Sequence, residues 1–269
     1  MKKYQNTILW LLAILITLSS AIYQRKTGPT YSINGDVILN NITINYSLPR
    51  SHDTGVDAEI RIMAPDPQIE GEFNYRRYRS NDKWTKVPLQ RIGNDLLASI
   101  PNQPAAGKVM YRISLADGQS ETVQLTREPV IIRFKGSVPA FILVPHIFFM
   151  FFAMLLSNRS GLQALARGGN LYKYALWTSG LLLVGGLILG PIVQKYAFGA
   201  YWTGWPFGHD LTDNKTIVAF IAWALAIWKN KDRINHPSWV LAASITLFLV
   251  YMIPHSVLGS ELDYTALEQ

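Results

Sequence analysis

Five apolar runs, at roughly 8–22, 139–157, 174–194, 216–228 and 238–254, punctuate the chain. Three approach the ~20 residues a helix needs to cross a bilayer; the first and fourth are shorter and lean on flanking aromatics. Hydrocarbon offers backbone groups no water, so each run is expected to be a helix. Between the first and second runs the period changes. Val109, Tyr111, Ile113 and Leu115 alternate with Lys108, Met110, Arg112 and Ser114, the period of two expected of a half-buried strand. Similar segments occur around 37–46, 57–63, 71–79, 84–89, 96–100 and 121–126. Turn residues such as Asn34-Gly35-Asp36 and Asp117-Gly118 lie between them. About seven short strands predict an all-β sandwich.

The pattern therefore predicts a multi-domain protein: an α-helical membrane bundle carrying an exported all-β sandwich. The bundle has five spans, or four if the first run is a cleaved signal, which its basic start and Ser19-Ser20-Ala21 end also fit. The expected division is an anchor or signal with linker at 1–29, the β-domain at 30–138, a four-helix membrane domain at 139–257 and an external tail at 258–269.

Composition sharpens this picture at two points. Only 16% of residues are charged, against about 25% in soluble domains, and the deficit falls in 139–254. The net charge of +7 is thus a matter of membrane orientation, and no nucleic-acid role is expected. Lys2, Lys3, Arg159, Arg167, Lys173, Lys229, Lys231 and Arg233 fall in segments that share one side if spans alternate. Asp210, Asp213, Glu261, Asp263 and Glu268 fall on the other. The positive-inside rule then places the N-terminus in the cytoplasm, the helices in the inner membrane, and the β-domain and C-terminus on the periplasmic side. The absence of cysteine excludes disulfides, thiolate metal sites and covalent haem attachment. No GxSxG, phosphate loop or paired-carboxylate signature points to a hydrolase, and no catalytic residue is assigned.

The β region resembles bacterial immunoglobulin-like and fibronectin-type modules in its stretches around Tyr75–Tyr78, Trp84–Pro88, Ala98–Pro101 and Lys108–Ile113. That resemblance implies a sandwich and leaves function open.

Candidate chemistry gathers on the predicted outer face. His146 and His255 each follow a proline, Pro145 and Pro254, which removes a backbone donor and frees carbonyls nearby. Histidine at membrane depth is a functional candidate, the alternative being a ring hydrogen-bonded to a neighbouring helix. Between them runs Gly199-Ala200-Tyr201-Trp202-Thr203-Gly204-Trp205-Pro206-Phe207-Gly208-His209-Asp210, followed by Asp213-Asn214-Lys215-Thr216 as an expected helix cap. Glycines interleaved with aromatics suit close approach to a flat ligand.

Gly199 to Pro206, with Lys215-Thr216, Ala219 and Trp223, resembles the tryptophan-rich outer loop of haem-handling cytochrome c assembly membrane proteins. In that family, histidines before and after the loop ligate haem. The resemblance thus implies His146 and His255 as axial ligands of haem b, walled by Tyr201, Trp202 and Trp205, in electron transfer or haem handling. The chain departs from the family at Asp210, which follows Trp205 by five residues rather than one. An alternative is a non-haem copper, iron or zinc centre using His146, His209 and His255 with Asp210, Glu261 or Asp263. A third reading is a non-catalytic assembly or interaction subunit, partnered by the lipid bilayer and by a membrane or periplasmic protein. In that reading Tyr264 and the preceding Ser260–Asp263 dock on the outer surface.

Overall fold

A computed structural model describes residues 3–118, 122–167, 169–231, 236–254, 259 and 261–267. The chain divides into two compact units. One comprises Met1–Pro29 with Val138–Gly259, the other Thr30–Ser137 with Ser260–Gln269.

The helical unit contains α1 (Lys3–Thr27), α2 (Ala140–Leu165), α3 (Leu171–Leu182), a π-helical stretch (Leu183–Leu189), α4 (Gly190–Phe198), α5 (Leu211–Asn230) and α6 (Pro237–Met252). Among the described residues three helices are long and apolar enough to cross a membrane: Tyr4–Thr27, Ala140–Leu165 and the continuous Leu171–Phe198. α6 is apolar but shorter. Small residues let these helices approach one another. A Cβ on Gly185 would fall 2.8 Å from that of Phe149, and one on Gly186 would fall 2.8 Å from Thr216 Cγ2. Polar side chains join helices inside the unit: Asn158 Nδ2 donates to Thr17 Oγ1 at 2.9 Å, and Ser244 Oγ to the Ser157 carbonyl at 2.8 Å. Trp223 sits fully buried at the centre, with Met154, Ala219 and Leu247 in the same core.

α2 runs well past the apolar stretch that predicted it. Its polar final turns carry Ser157, Asn158, Arg159, Ser160 and Gln163, all buried. Arg159, expected in a basic segment between spans, is therefore helical and buried. Its apolar company is supplied by α1 and α3, which a local window cannot see.

In the β unit, β1 (Ile33–Leu39) pairs with β2 (Ile42–Leu48). A second sheet has the order β3 (Ser51–Asp53), β11 (Val130–Lys135), β9 (Lys108–Ala116), β5 (Glu70–Arg77) and β6 (Thr85–Pro88), with β10 (Thr122–Gln124) on β9. A third has the order β4 (Ala58–Met63), β8 (Asp95–Ile100) and β7 (Gln90–Ile92). One core joins residues from all three sheets, including Leu39, Ile60, Phe73, Leu96, Tyr111 and Phe134. β9 follows the predicted alternation, with Val109, Tyr111, Ile113 and Leu115 buried. The single strand expected at 37–46 is instead a hairpin. It breaks at Asn40 and Asn41, both in the left-handed region with φ of 49° and 59°, the backbone that a two-residue hairpin turn requires and that asparagine tolerates. β11 was absent from the sequence pattern because its successive residues Ile132, Arg133 and Phe134 are all buried, which erases the alternation.

The tail segment 261–267 packs on this unit. Glu261 pairs with Lys108 and, at 2.7 Å, with Arg79. The Leu262 and Tyr264 amides donate to the carbonyls of Ala106 and Arg79 at 3.2 and 3.1 Å. Tyr264 is buried, with its hydroxyl 2.9 Å from Gln103 Oε1 and the Arg77 guanidinium 4.7 Å from its ring centroid.

Candidate functional site

The aromatic segment forms the loop between α4 and α5, and its shape follows from the start of α5. Asp210, not Asp213, caps that helix: its Oδ1 accepts the Thr212 amide at 2.8 Å. Asp213, in the first turn, turns back on the loop. Its Oδ2 accepts the amides of Thr203 at 2.7 Å and Gly204 at 2.9 Å, and Gln194 Nε2 of α4 at 3.2 Å. Asn214 Oδ1 takes the Trp205 amide at 2.6 Å. Thr203 Oγ1 contacts Asp210 at 3.2 Å and receives Gln194 Nε2 at 2.7 Å. Helix start, loop and the end of α4 are thereby tied into one network.

The glycines serve that network. A Cβ on Gly204 would lie 2.5 Å from Asp213 Cβ and 2.7 Å from Asn214 Oδ1, so the bare backbone is what lets the loop reach α5. Gly199 ends α4 in the left-handed region at φ 87°. The close backbone approach expected toward a flat ligand is an approach of the loop to its own helix.

The aromatics point the other way. Trp205 is 72% exposed, Phe207 83% and Tyr201 59%. Trp202 is half-buried and its indole donates to the Trp205 carbonyl at 3.1 Å. Tyr201 stacks with Lys195, whose ammonium is 5.4 Å from the ring centroid. Tyr201 and Trp205 thus sit on the outside of the loop instead of walling a cleft. His209 is exposed beside buried Asp210.

His146 belongs to α2. Its Nδ1 is 2.9 Å from the Gly185 carbonyl of the π-helical stretch, and Gly190, at the stretch's end, also directs its amide to that carbonyl. A carbonyl only accepts, so Nδ1 carries the proton, and in the neutral ring Nε2 then keeps the lone pair that a metal ligand requires. A Cβ on Gly190 would lie 3.8 Å from His146 Cε1, and Gln194 follows Gly190 by one helical turn on the same face. His255 lies outside the described residues. α6 ends at Met252, two residues before Pro254, and the Ile253 carbonyl just past its end accepts the ammonium of Lys215 at 2.6 Å.

The acidic metal candidates of the tail have partners of their own. Glu261 belongs to the β unit, engaged by Lys108 and Arg79, and Asp263 accepts from Thr265. Among the described residues no group of three or more histidines and carboxylates is disposed to hold a metal ion. Of the residues expected at a haem, His146 holds one ring nitrogen against the Gly185 carbonyl, Tyr201 and Trp205 are exposed, and Trp202 is half-buried.

Sequence reasoning passed over Gln194, the true role of Asp213 and the burial of Lys215. The available signal was that all three are polar groups at the margins of apolar runs, where burial is costly without a defined partner. No family model and no curated protein matches this chain.

Proposed function

We propose that this chain is an integral membrane protein that serves as an assembly or interaction subunit. In this reading five helices span the inner membrane, the β unit stands on the periplasmic side, and the loop between α4 and α5 is the contact surface. The observation that carries it is the outward display of Tyr201, Trp205 and Phe207 on a backbone pinned by Asp213 and Asn214. Exposed aromatics on a loop that is already ordered bind at low entropic cost, the property of interaction hot spots. A photoreactive benzoylphenylalanine placed at Trp205 or Phe207 in intact cells is expected to give one discrete protein adduct, lost when Asp213 is changed to alanine. Adducts to lipid alone would reduce the loop to an anchor at the bilayer boundary and defeat the proposal.

A haem role is the second reading, favoured by the free Nε2 of His146. It predicts a Soret band in the purified native protein that disappears on His146→Ala. A colourless preparation from haem-replete cells counts against it. Axial ligation would supply redox chemistry or transient haem capture, with the Gly185 carbonyl fixing the ring's orientation.

A further inference from the structure

Where α1 begins, α2 ends and α3 begins, Asn6, Arg159, Gln163, Asn170, Lys173 and Tyr174 line an open cavity of about 370 Å³. Its floor is unusual in charge. Arg159 is 0% exposed; one terminal nitrogen donates to Asn6 Oδ1 at 2.7 Å. The guanidinium carbon lies 5.3 Å from the ring centroids of both Trp10 and Tyr174. The remaining groups, Nε and Nη1, are buried without a hydrogen-bond partner. Cation–π contact offsets part of the desolvation of a guanidinium, but unmet charged donors stay costly until an acceptor arrives. No described lining residue is acidic.

Two further features carry the same sign. Lys173 lines the cavity. The Asn170 side chain caps the helix that starts there by accepting the Lys173 amide at 3.0 Å, so the positive end of the continuous 171–198 helix also faces this region. The cavity's rim is apolar: Trp177 lines it and is 61% exposed, with Leu176 and Leu165 exposed nearby. A basic pocket at the end of membrane helices, bordered by exposed apolar side chains, has the chemistry of a lipid headgroup site.

We infer that this cavity binds the phosphate of an anionic phospholipid, with Arg159 and Lys173 as charge-assisted donors and the acyl chains running past Trp177. The inference is independent of the role assigned to the aromatic loop. It is tested on the full-length protein in detergent by native mass spectrometry, with phosphatidylglycerol and phosphatidylcholine of matched chains. The expected result is a bound phosphatidylglycerol preferred about tenfold or more. Lys173→Gln, a substitution at the cavity's edge, should cut that preference about fivefold. Arg159→Gln should abolish it and Arg159→Lys should restore part of it. Equal binding of the two lipids, or an undiminished preference in Lys173→Gln, overturns the inference. So does saturable binding of inorganic phosphate without any lipid preference, which would assign the cavity to a soluble anion.

Discussion

Asp213→Ala is expected to lower the stability of the helical unit by about 3 kcal/mol, read as a drop in thermal midpoint in detergent. The reason is convergence. A single oxygen, Oδ2, receives two backbone amides and the Gln194 side chain, and Asp213 itself is buried. Removing it strands the Thr203 and Gly204 amides with no replacement acceptor. Because the contacts meet at one oxygen, asparagine can present its own carbonyl oxygen in the same place. Asp213→Asn should therefore lose the charge contribution alone, about 1 kcal/mol. Hydrogen exchange at residues 199–210 should rise sharply in the alanine variant and little in the asparagine variant. Equal damage from both would mean that charge, not geometry, holds the loop.

Tyr264→Ala is expected to cost the β unit about 3 kcal/mol and to release the tail, seen as lost protection at 261–267. The ring is buried, capped by Arg77 and hydrogen-bonded to Gln103. A Cβ on Gly107 would fall 2.5 Å from the Tyr264 hydroxyl, so the tail occupies a groove that a glycine keeps open. The contact should also be bounded in pH. Burial raises the Tyr264 phenol above its ordinary value, with Arg77 partly opposing. The stabilisation is thus present below the usual tyrosine range and is lost as pH climbs through the raised value. On the acid side, the hydrogen bond from Arg77 holds the Asp82 carboxyl below its ordinary value. Its contribution is present above the usual aspartate range and fades as pH falls through the lowered value. Tail protection measured against pH should fall at both extremes.

The division into apolar helices and a strand-rich region was legible because both periods repeat over many residues. Val109 to Leu115 illustrate it for strands, and 140–157 for helices. The polar end of α2 was not legible, since Arg159 is buried by Trp10 and Tyr174, residues remote in sequence. The hairpin turn at Asn40–Asn41 was legible in principle, but flanking β-branched residues masked it. At the candidate site the sequence singled out the loop between α4 and α5 but not the groups that order it. Tryptophan and glycine drew attention as ligand contacts, whereas the organising groups are Asp213, Asn214 and Gln194. A carboxylate's partners here are backbone amides, which carry no residue identity for a motif to register.

The docked tail has one more implication. It is part of the same chain as its groove, so it meets that groove as an intramolecular ligand rather than a diffusing one. A groove of modest intrinsic affinity then remains filled. A free peptide of the same sequence, supplied at micromolar levels, should fail to displace it, whereas a single backbone cut within 253–260 would turn a permanent clasp into a dilutable complex.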